Sequence, residues 1–251
     1  SWCRLISSEK KSTGLRGSEC TAALAITLRQ KAVLPMAGRA ARMISSDSWK
    51  PLVSWSRSLN PAGTPVTCAV SGGADSSALL ALAVAAGLDV TAVHVDHGLR
   101  PGSANEAEGV QRLASRWGAA FRSEQVRVPQ GPDLEARSRD ARRSVLPPDA
   151  LFGHTADDQA ETVLLRLLRG TGPTGLAAMR PAQHPLLALR RAETVQLCAH
   201  LGVAPFEDPS NDDDRFVRNR VRHEVVPLLD DVAGRDVVPL LCRLAALAAE
   251  D

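Results

Sequence analysis

No uninterrupted apolar run in the sequence approaches the roughly 20 residues that a membrane-spanning helix needs, since even Ala78–Leu88 is only a short alanine-rich stretch. The five cysteines form no C-x-x-C pair, so neither a cysteine zinc site nor a disulfide framework is indicated. The G-K-S/T signature of a Walker A phosphate loop is also missing. We therefore expect a soluble protein with reduced thiols and no membrane partner.

The small net charge hides an uneven distribution. The whole chain has a net charge of +2, but residues 1–46 carry eight basic and two acidic side chains, a net +6, which leaves −4 for the rest. A nucleic-acid partner would therefore have to be held by local arginine clusters rather than by overall charge.

Residues 1–47 are interpreted as an N-terminal extension, and three origins stay open. The stretch is a transit peptide for an organelle, translated upstream sequence before a start at Met36 or Met43, or an extension specific to a family. It lacks the clean apolar core of a secretory signal. The expected location is the cytoplasm, or an organelle if the stretch is a transit peptide.

From about residue 64, short apolar runs alternate with helical patterns. Gly87 and Gly118 are placed to end the first two helices, and Ser103 with Glu106 forms a capping box that starts the second. This alternation predicts an α/β fold with a parallel, doubly wound sheet. The predicted strands are Val66–Val70, Val90–Val95, Phe121–Val128 and 150–153; the predicted helices are 76–86, 103–117, 133–143 and one that Thr155 caps. The apolar face of the last is Ala160, Val163, Leu164, Leu167 and Leu168.

The most polar segments follow three of these strands. They read SGGADSS (71–77), HVDHGLR (94–100) and GHTADDQAET (153–162). Ligands of parallel α/β sheets bind beyond the carboxyl ends of the strands. The three segments are therefore expected to meet at one ligand site.

The first segment suits phosphate. Its two glycines let successive backbone N–H groups converge on an anion at the start of the next helix, and its serines add hydroxyl donors. Asp75 would repel a bare phosphate, which indicates a divalent cation such as Mg²⁺ between them. The simpler alternative is a strand-to-helix turn in which these side chains act only as caps. The residues predicted to bind phosphate are Ser71, Gly72, Gly73, Asp75, Ser76 and Ser77. Asp75 would do so through the metal ion, as its ligand.

Asp158 and Glu161 are spaced three apart in a predicted helix, so they share one face with Cβ atoms roughly 5–6 Å apart. Two carboxylates so placed repel each other unless a cation, either an ammonium group or a metal, lies between them. A favourable interaction with the helix dipole explains why an acid stands at the neighbouring Asp157, but it explains poorly why an acid stands at Glu161 on the same face.

Basic residues flank these motifs. His94, Asp96 and His97 do not form a convincing set of zinc ligands. Arg100 is available to contact phosphate or RNA. His154 is a candidate for a similar contact because of its position.

Arg169 opens the glycine-rich loop RGTGPTGL, which is expected to help close the pocket. Further on, Arg215, Arg218 and Arg222 form one helical stripe from which Arg220 is displaced, and guanidinium groups give bidentate contacts to phosphate.

Taken together, these motifs resemble a known family. SGGADS is similar to the pyrophosphate (PP) loop of the N-type ATP pyrophosphatases, and VHVDHGLRPGSANEA, GHTADDQAETVLLRLLRGTGPTGLAAM and EDPSNDDDRFVRNRVRHEVVPLL narrow the resemblance to the tRNA(Ile)-lysidine synthetases. The resemblance runs from about Val66 to the C-terminus. It implies a PP-loop domain over 48–188 and a helical extension over 189–251.

The resemblance also implies a reaction, which makes the chain a ligase that forms a carbon–nitrogen bond. The C2 oxygen of the wobble cytidine in a tRNA(Ile) with a CAU anticodon attacks the α-phosphate of ATP, with Mg²⁺; free lysine then displaces AMP to give lysidine. It assigns catalysis to Asp75, Asp158 and Glu161, and lysine recognition to Asp158 and Glu161. Phosphate or tRNA contacts fall to Arg100, His154, Arg169, Arg218, Arg220 and Arg222.

The sequence departs from the family pattern in several places. Segments near Pro147 and His184 are short, Arg143 stands where tyrosine is common, His184 replaces the usual arginine, and many members continue past the point matching Asp251. Two rival functions remain: tRNA thiolation, which generally needs catalytic cysteines, and a non-catalytic nucleotide- or RNA-binding relative. The tRNA identity elements and the choice between monomer and homodimer stay open.

Overall fold

The computed structural model describes residues 62–96, 98, 103–127, 134–206 and 215–250. Interpretations that fall on residues 1–47, on His97 and on Arg100 lie outside the described residues. No helix in the described ranges is long and apolar enough to cross a membrane. The strands are β1 Pro65–Ala69, β2 Asp89–Asp96, β3 Ala120–Gln125 and β4 Leu151–Phe152. They are parallel and form one sheet in the order β3-β2-β1-β4.

Helices connect the strands and cover both faces of the sheet. The helix α1 is buried along almost its whole length and packs on the face that carries Cys68, Val90 and Ala92. The opposite face packs with residues of the α3 region. The helices are α1 Ala74–Ala85, α2 Ser103–Trp117, α3 Leu134–Ser144, α4 Ala156–Leu168, α5 Pro173–Leu176, α6 Arg191–His200, α7 Val217–Arg220, α8 Val226–Ala233 and α9 Val238–Glu250.

The predicted α/β fold with a parallel, doubly wound sheet is confirmed. All four predicted strands form, with shifted ends, and Gly87 and Gly118 adopt φ of +82° and +77° after α1 and α2, the left-handed conformation that ends a helix most cheaply at glycine. The prediction that Leu167 and Leu168 belong to the buried apolar face of α4 is wrong. Their side chains are 45% and 70% exposed, because the described elements leave the last turn of α4 uncovered.

A π-helical turn, Val221–Val225, joins α7 to α8 without a break. Pro227 lies at the start of α8 and has no N–H to donate to the preceding turn, which favours a wider turn there. The helical path places Arg218 and Arg222, four residues apart, over the same neighbour, Glu161.

Candidate active site

A cavity of about 620 Å³ opens beside the carboxyl ends of β1, β2 and β4, where parallel sheets bind ligands. It brings together residues of the first and third polar segments, as their positions predict. Its polar lining includes Ser71, Asp75, His154, Asp158, Arg191 and Arg222.

The loop after β1 is held by its own hydroxyl groups. Ser71 and Gly72 donate their N–H groups to Oγ of Ser76 at 3.2 Å each, and Ser76 donates to the Gly73 carbonyl at 3.0 Å. Ser77 is fully buried and donates to the Gly72 carbonyl. Ser71, Gly73 and Ser76 line the cavity, whereas Gly72 and Ser77 border a smaller hollow on the other side of the loop.

Gly153, at the end of β4, fixes how closely this strand approaches α1. A Cβ at Gly153 would lie 2.6 Å from the Asp75 carbonyl oxygen and 2.9 Å from Cα of Ser76. Both neighbours are backbone atoms, which cannot turn aside as a side chain can. Glycine is therefore needed here to bring Asp75 and the third polar segment to one site.

We expect Gly153→Ala to push the start of α1 away from β4 and to lower stability by about 1–3 kcal/mol. The matched control is Gly172→Ala, because Gly172 has a φ of −79° and nothing within 4 Å of its added Cβ. Urea unfolding of the two variants measures the difference. Equal behaviour of the two variants would show that the close approach does not matter.

Asp75 presents its carboxylate to the cavity from the first turn of α1. It accepts a hydrogen bond from the Thr194 hydroxyl, and Nε of Arg191 lies 3.8 Å from it. Burial, with the nearby Asp158 carboxylate, raises the pKa of Asp75 to about 6 against the lowering effect of Thr194, Arg191 and Arg222. A carboxylate that ionises reluctantly gains most from a cation beside it.

The two oxygens of Asp158 have different partners. Oδ2 accepts from the Thr155 N–H at 2.8 Å and from its hydroxyl at 3.0 Å, which caps α4, while Oδ1 accepts from Arg191 at 3.0 Å. Burial opposes ionisation, but Arg191 and Arg218 outweigh it and lower the pKa of Asp158 to about 2. Asp158 is therefore anionic at neutral pH and lines the cavity.

Glu161 lies on the same face of α4, as its spacing predicts, but it is only 1% exposed and is surrounded by arginines. It accepts from Nε of Arg218 at 2.8 Å, from Nε of Arg222 at 2.7 Å and from Arg191 at 3.2 Å. Arg222 and Arg191 reach the cavity, while Glu161 and Arg218 are not among its lining residues. Arg218 and Arg222 both pair with Glu161, and Arg222 also lines the cavity, so a contact of either guanidinium group with phosphate stays a prediction.

His154 lines the cavity, and its ring packs against a second histidine. Nδ1 of His154 lies 2.9 Å from Nδ1 of His184. Burial, with smaller effects of nearby arginines, lowers the pKa of His154 to about 3 and that of His184 to about 4. Both rings are therefore neutral at pH 7.

This pair predicts an acid-sensitive fold. Each histidine pKa is depressed on folding, so between about pH 6.5 and 4 the unfolded chain binds two more protons and stability falls as the pH falls. Asp75, raised from 3.8 to about 6, acts oppositely below pH 6 and offsets one proton. The melting temperature should fall from pH 6 to pH 5, and His184→Asn should remove most of that slope. An unchanged slope in the variant would contradict this.

The remaining predicted contacts lie away from the cavity. Arg169 is exposed after α4, and Arg220 pairs with Glu224 at 2.9 Å on the surface. Within the described ranges, no group of three or more histidine, cysteine, aspartate or glutamate side chains is placed to hold a metal.

Four residues of the site escaped the sequence reasoning. Thr194 and Arg191 come from α6; His184 was noted only as a departure from the family pattern, and Arg142 only as part of the predicted helix 133–143. Arg142 lines the cavity, with its guanidinium 5.5 Å from the centre of the Phe152 ring. The run LRRAE at 189–193, with two arginines before a capping glutamate, is the one local signal that could have found Arg191.

The chain matches a family model described as "PP-loop domain" over residues 56–229. It is 47% identical over 204 residues to a tRNA(Ile)-lysidine synthase of Nocardia farcinica, covering 76% of this chain and 64% of the relative. A tRNA(Ile)-lysidine synthase of Mycobacterium tuberculosis is 46% identical over 192 residues, covering 72% and 59%. The chain thus spans less than two thirds of the length of these relatives.

Among solved structures, the chain is similar to a U34-tRNA thiolase from Methanococcus maripaludis. The TM-score is 0.63 at 14% sequence identity, with 88% of this chain and 80% of the thiolase covered. At this identity the likeness shows a shared fold and does not indicate a shared reaction.

Proposed function

We propose, from the premise that this chain belongs to the PP-loop domain family, that it makes lysidine in an isoleucine tRNA. The substrates are ATP, free lysine and a tRNA(Ile) with a CAU anticodon. One observation carries the proposal: the loop Ser71–Ser77 and the acid Asp158 meet at one cavity beyond the ends of the strands. The relatives named tRNA(Ile)-lysidine synthase support the same choice.

The triphosphate of ATP lies at the start of α1 in this proposal. Backbone N–H groups at a helix start favour anions, and Gly73 and Ser71 line the cavity beside that point. Arg191 and Arg222 add positive charge on the opposite wall. These groups offset the negative charge that develops on pyrophosphate as it leaves.

Asp75 is the residue that fits Mg²⁺. Magnesium is typically held by one or two carboxylates together with substrate phosphates, and Asp75 offers one cavity-lining carboxylate whose burial opposes ionisation without a cation. When bound, the ion would neutralise phosphate charge. Asp75 itself orients that ion, while Thr194 fixes the carboxylate by a hydrogen bond.

Two displacements complete the reaction. The C2 oxygen of the wobble cytidine bonds to the α-phosphorus as the bond to pyrophosphate breaks. The lysine ammonium group first releases a proton to solvent, and the resulting amine then bonds to C2 as the C2–O bond breaks and AMP leaves with that oxygen. Asp158 is anionic and lines the cavity, so it is the carboxylate that binds the lysine ammonium group. The ammonium group either shares Oδ1 of Asp158 with Arg191 or displaces Arg191 from it. Glu161 does not line the cavity, and its role is to position Arg191, Arg218 and Arg222 through ion pairs.

Surface arginines are the proposed RNA contacts. Arg169 and Arg220 are exposed, and a guanidinium group contacts phosphate well. His154 is proposed to contact a phosphate of ATP inside the cavity. Cytoplasmic location and the recognition of the CAU anticodon belong to this proposal, while the role of Arg100, the domain limits and a homodimer stay predictions from the sequence.

The cysteines disfavour thiolation. Of the three that the structure describes, Cys68 is fully buried, and burial raises the pKa of its thiol to about 12. Burial likewise raises the pKa of Cys198 and Cys242 to about 11. None of these three lines the cavity, so none is suited to act as a thiolate nucleophile there.

The test is transfer of radiolabelled lysine to tRNA by the full chain. With ATP and Mg²⁺, label should enter tRNA(Ile) that has a CAU anticodon and should not enter the same tRNA with UAU. Failure to label the CAU tRNA while pyrophosphate is still released would point to another nucleophile. Absence of both signals would overturn the proposal.

A further inference from the structure

Four side chains pack together at one wall of the cavity, and three of them, Arg142, Phe152 and His154, line it. The Arg142 guanidinium lies over the Phe152 ring at 5.5 Å, and Phe152 lies 6.0 Å from the His154 ring and 5.6 Å from the His184 ring, centre to centre. The two histidine rings are 4.8 Å apart. His184 is only 4% exposed, so its neighbours fix the orientation of its ring relative to that of His154.

The contact between the rings needs one proton. The two Nδ1 atoms are 2.9 Å apart, and two bare nitrogens at that distance would repel each other. One ring must therefore donate from Nδ1 and the other must accept. Since Nδ1 of His154 is used by this contact, Nε2 is its one ring nitrogen left for a ligand in the cavity.

Burial, together with the positive charges around the pair, keeps both rings neutral. Arg142 and Arg143 face it from α3, and Arg218 faces it from α7, against the single negative charge of Asp158 on α4. A ring that resists protonation this strongly is a poor base at neutral pH. The part that His154 can play in the cavity is that of a neutral N–H donor, as a buried neutral histidine can polarise an anionic oxygen.

We infer that His184 is a positioning residue that donates its Nδ1 proton to Nδ1 of His154 and so keeps the proton of His154 on Nε2, as a hydrogen-bond donor to a phosphate oxygen. The opposite arrangement would turn a lone pair of Nε2 toward the anionic ligand. The direction of this hydrogen bond and the use of the donor both rest on the anionic ligand of the proposed function, whereas the contact between the two Nδ1 atoms does not.

The experiment measures the tautomer directly. Full chain labelled with ¹⁵N in histidine is examined by NMR at pH 7 without substrates, and the His154 signals are identified by their loss in His154→Gln. Nε2 should be the protonated nitrogen of His154 in wild type. It should remain so in His184→Asn, whose amide can still donate, and the proton should move to Nδ1 in His184→Asp, which accepts only.

Pyrophosphate release supplies the second readout. His184→Asp should lower kcat about tenfold or more, the value of one hydrogen bond, with KM for ATP changed less, while His184→Asn should stay near wild type. A proton on Nδ1 of His154 in wild type overturns the inference, as does equal loss of activity in both variants. If wild type releases no pyrophosphate, the proposed function fails and the NMR result still decides the tautomer.

Discussion

Asp75→Asn should abolish ATP-dependent adenylation of the tRNA, by about a thousandfold or more, while tRNA affinity changes little. Asp75 is the acidic residue of the PP loop that lines the cavity, and asparagine removes the charge that would hold Mg²⁺ against the triphosphate. Pyrophosphate release from ATP in the presence of tRNA measures the loss. Gel-shift titration with the same tRNA measures binding.

The variant should lose activity without losing stability. Burial raises the pKa of Asp75 to about 6, so its ionised form opposes folding above that pH, and asparagine relieves this while still accepting from Thr194. Asp231→Asn, at an exposed carboxylate, is the charge-matched control and should leave both rate and melting temperature unchanged. Full activity of Asp75→Asn would remove Asp75 from the mechanism.

Glu161→Gln should cause the largest loss of stability. The carboxylate is 1% exposed and is bonded to Arg191, Arg218 and Arg222, and a neutral amide would leave three partly buried guanidinium groups without their counter-charge. Removing one partner of a buried ion pair typically costs about 3–5 kcal/mol. The free energy of unfolding in urea measures this cost.

The control is Glu224→Gln, which removes an exposed pair with Arg220 and should change the stability little, because water screens exposed pairs. In any folded fraction of Glu161→Gln, the rate of lysine transfer to tRNA should fall more than the rate of pyrophosphate release. The reason is that Arg191 and Arg218, which lie beside Asp158, lose their ion pairs with Glu161. Similar stabilities of the two variants would contradict the role given to Glu161, and equal losses in the two reaction steps would contradict its link to lysine.

Local signals in the sequence predicted most of the fold. Alternating apolar runs gave the four strands, and Gly87 and Gly118 gave helix ends, because these features depend on neighbours along the chain. The capping by Thr155 and the shared face of Asp158 and Glu161 are local in the same sense. The turn of α4 with Leu167 and Leu168 failed, since burial there depends on what covers it.

The partners of the site could not be predicted in the same way. Thr194 meets Asp75 across 119 residues of sequence, and Arg218 and Arg222 meet Glu161 across about 60. No periodicity within a segment encodes such pairings. The arginine stripe was visible as a pattern, but its pairing with the buried carboxylate of Glu161 depends on how the π-helical turn packs beside α4.

The most direct test of the central claim, that this cavity transfers AMP from ATP to the tRNA, is adenylation without lysine. The full chain is incubated with Mg²⁺, ATP labelled at the α-phosphate and CAU-anticodon tRNA(Ile), and the tRNA is isolated. Label should appear on the tRNA and should be released as AMP when lysine is added. An unlabelled tRNA, in a reaction where lysine is nevertheless incorporated on its later addition, would contradict the claim.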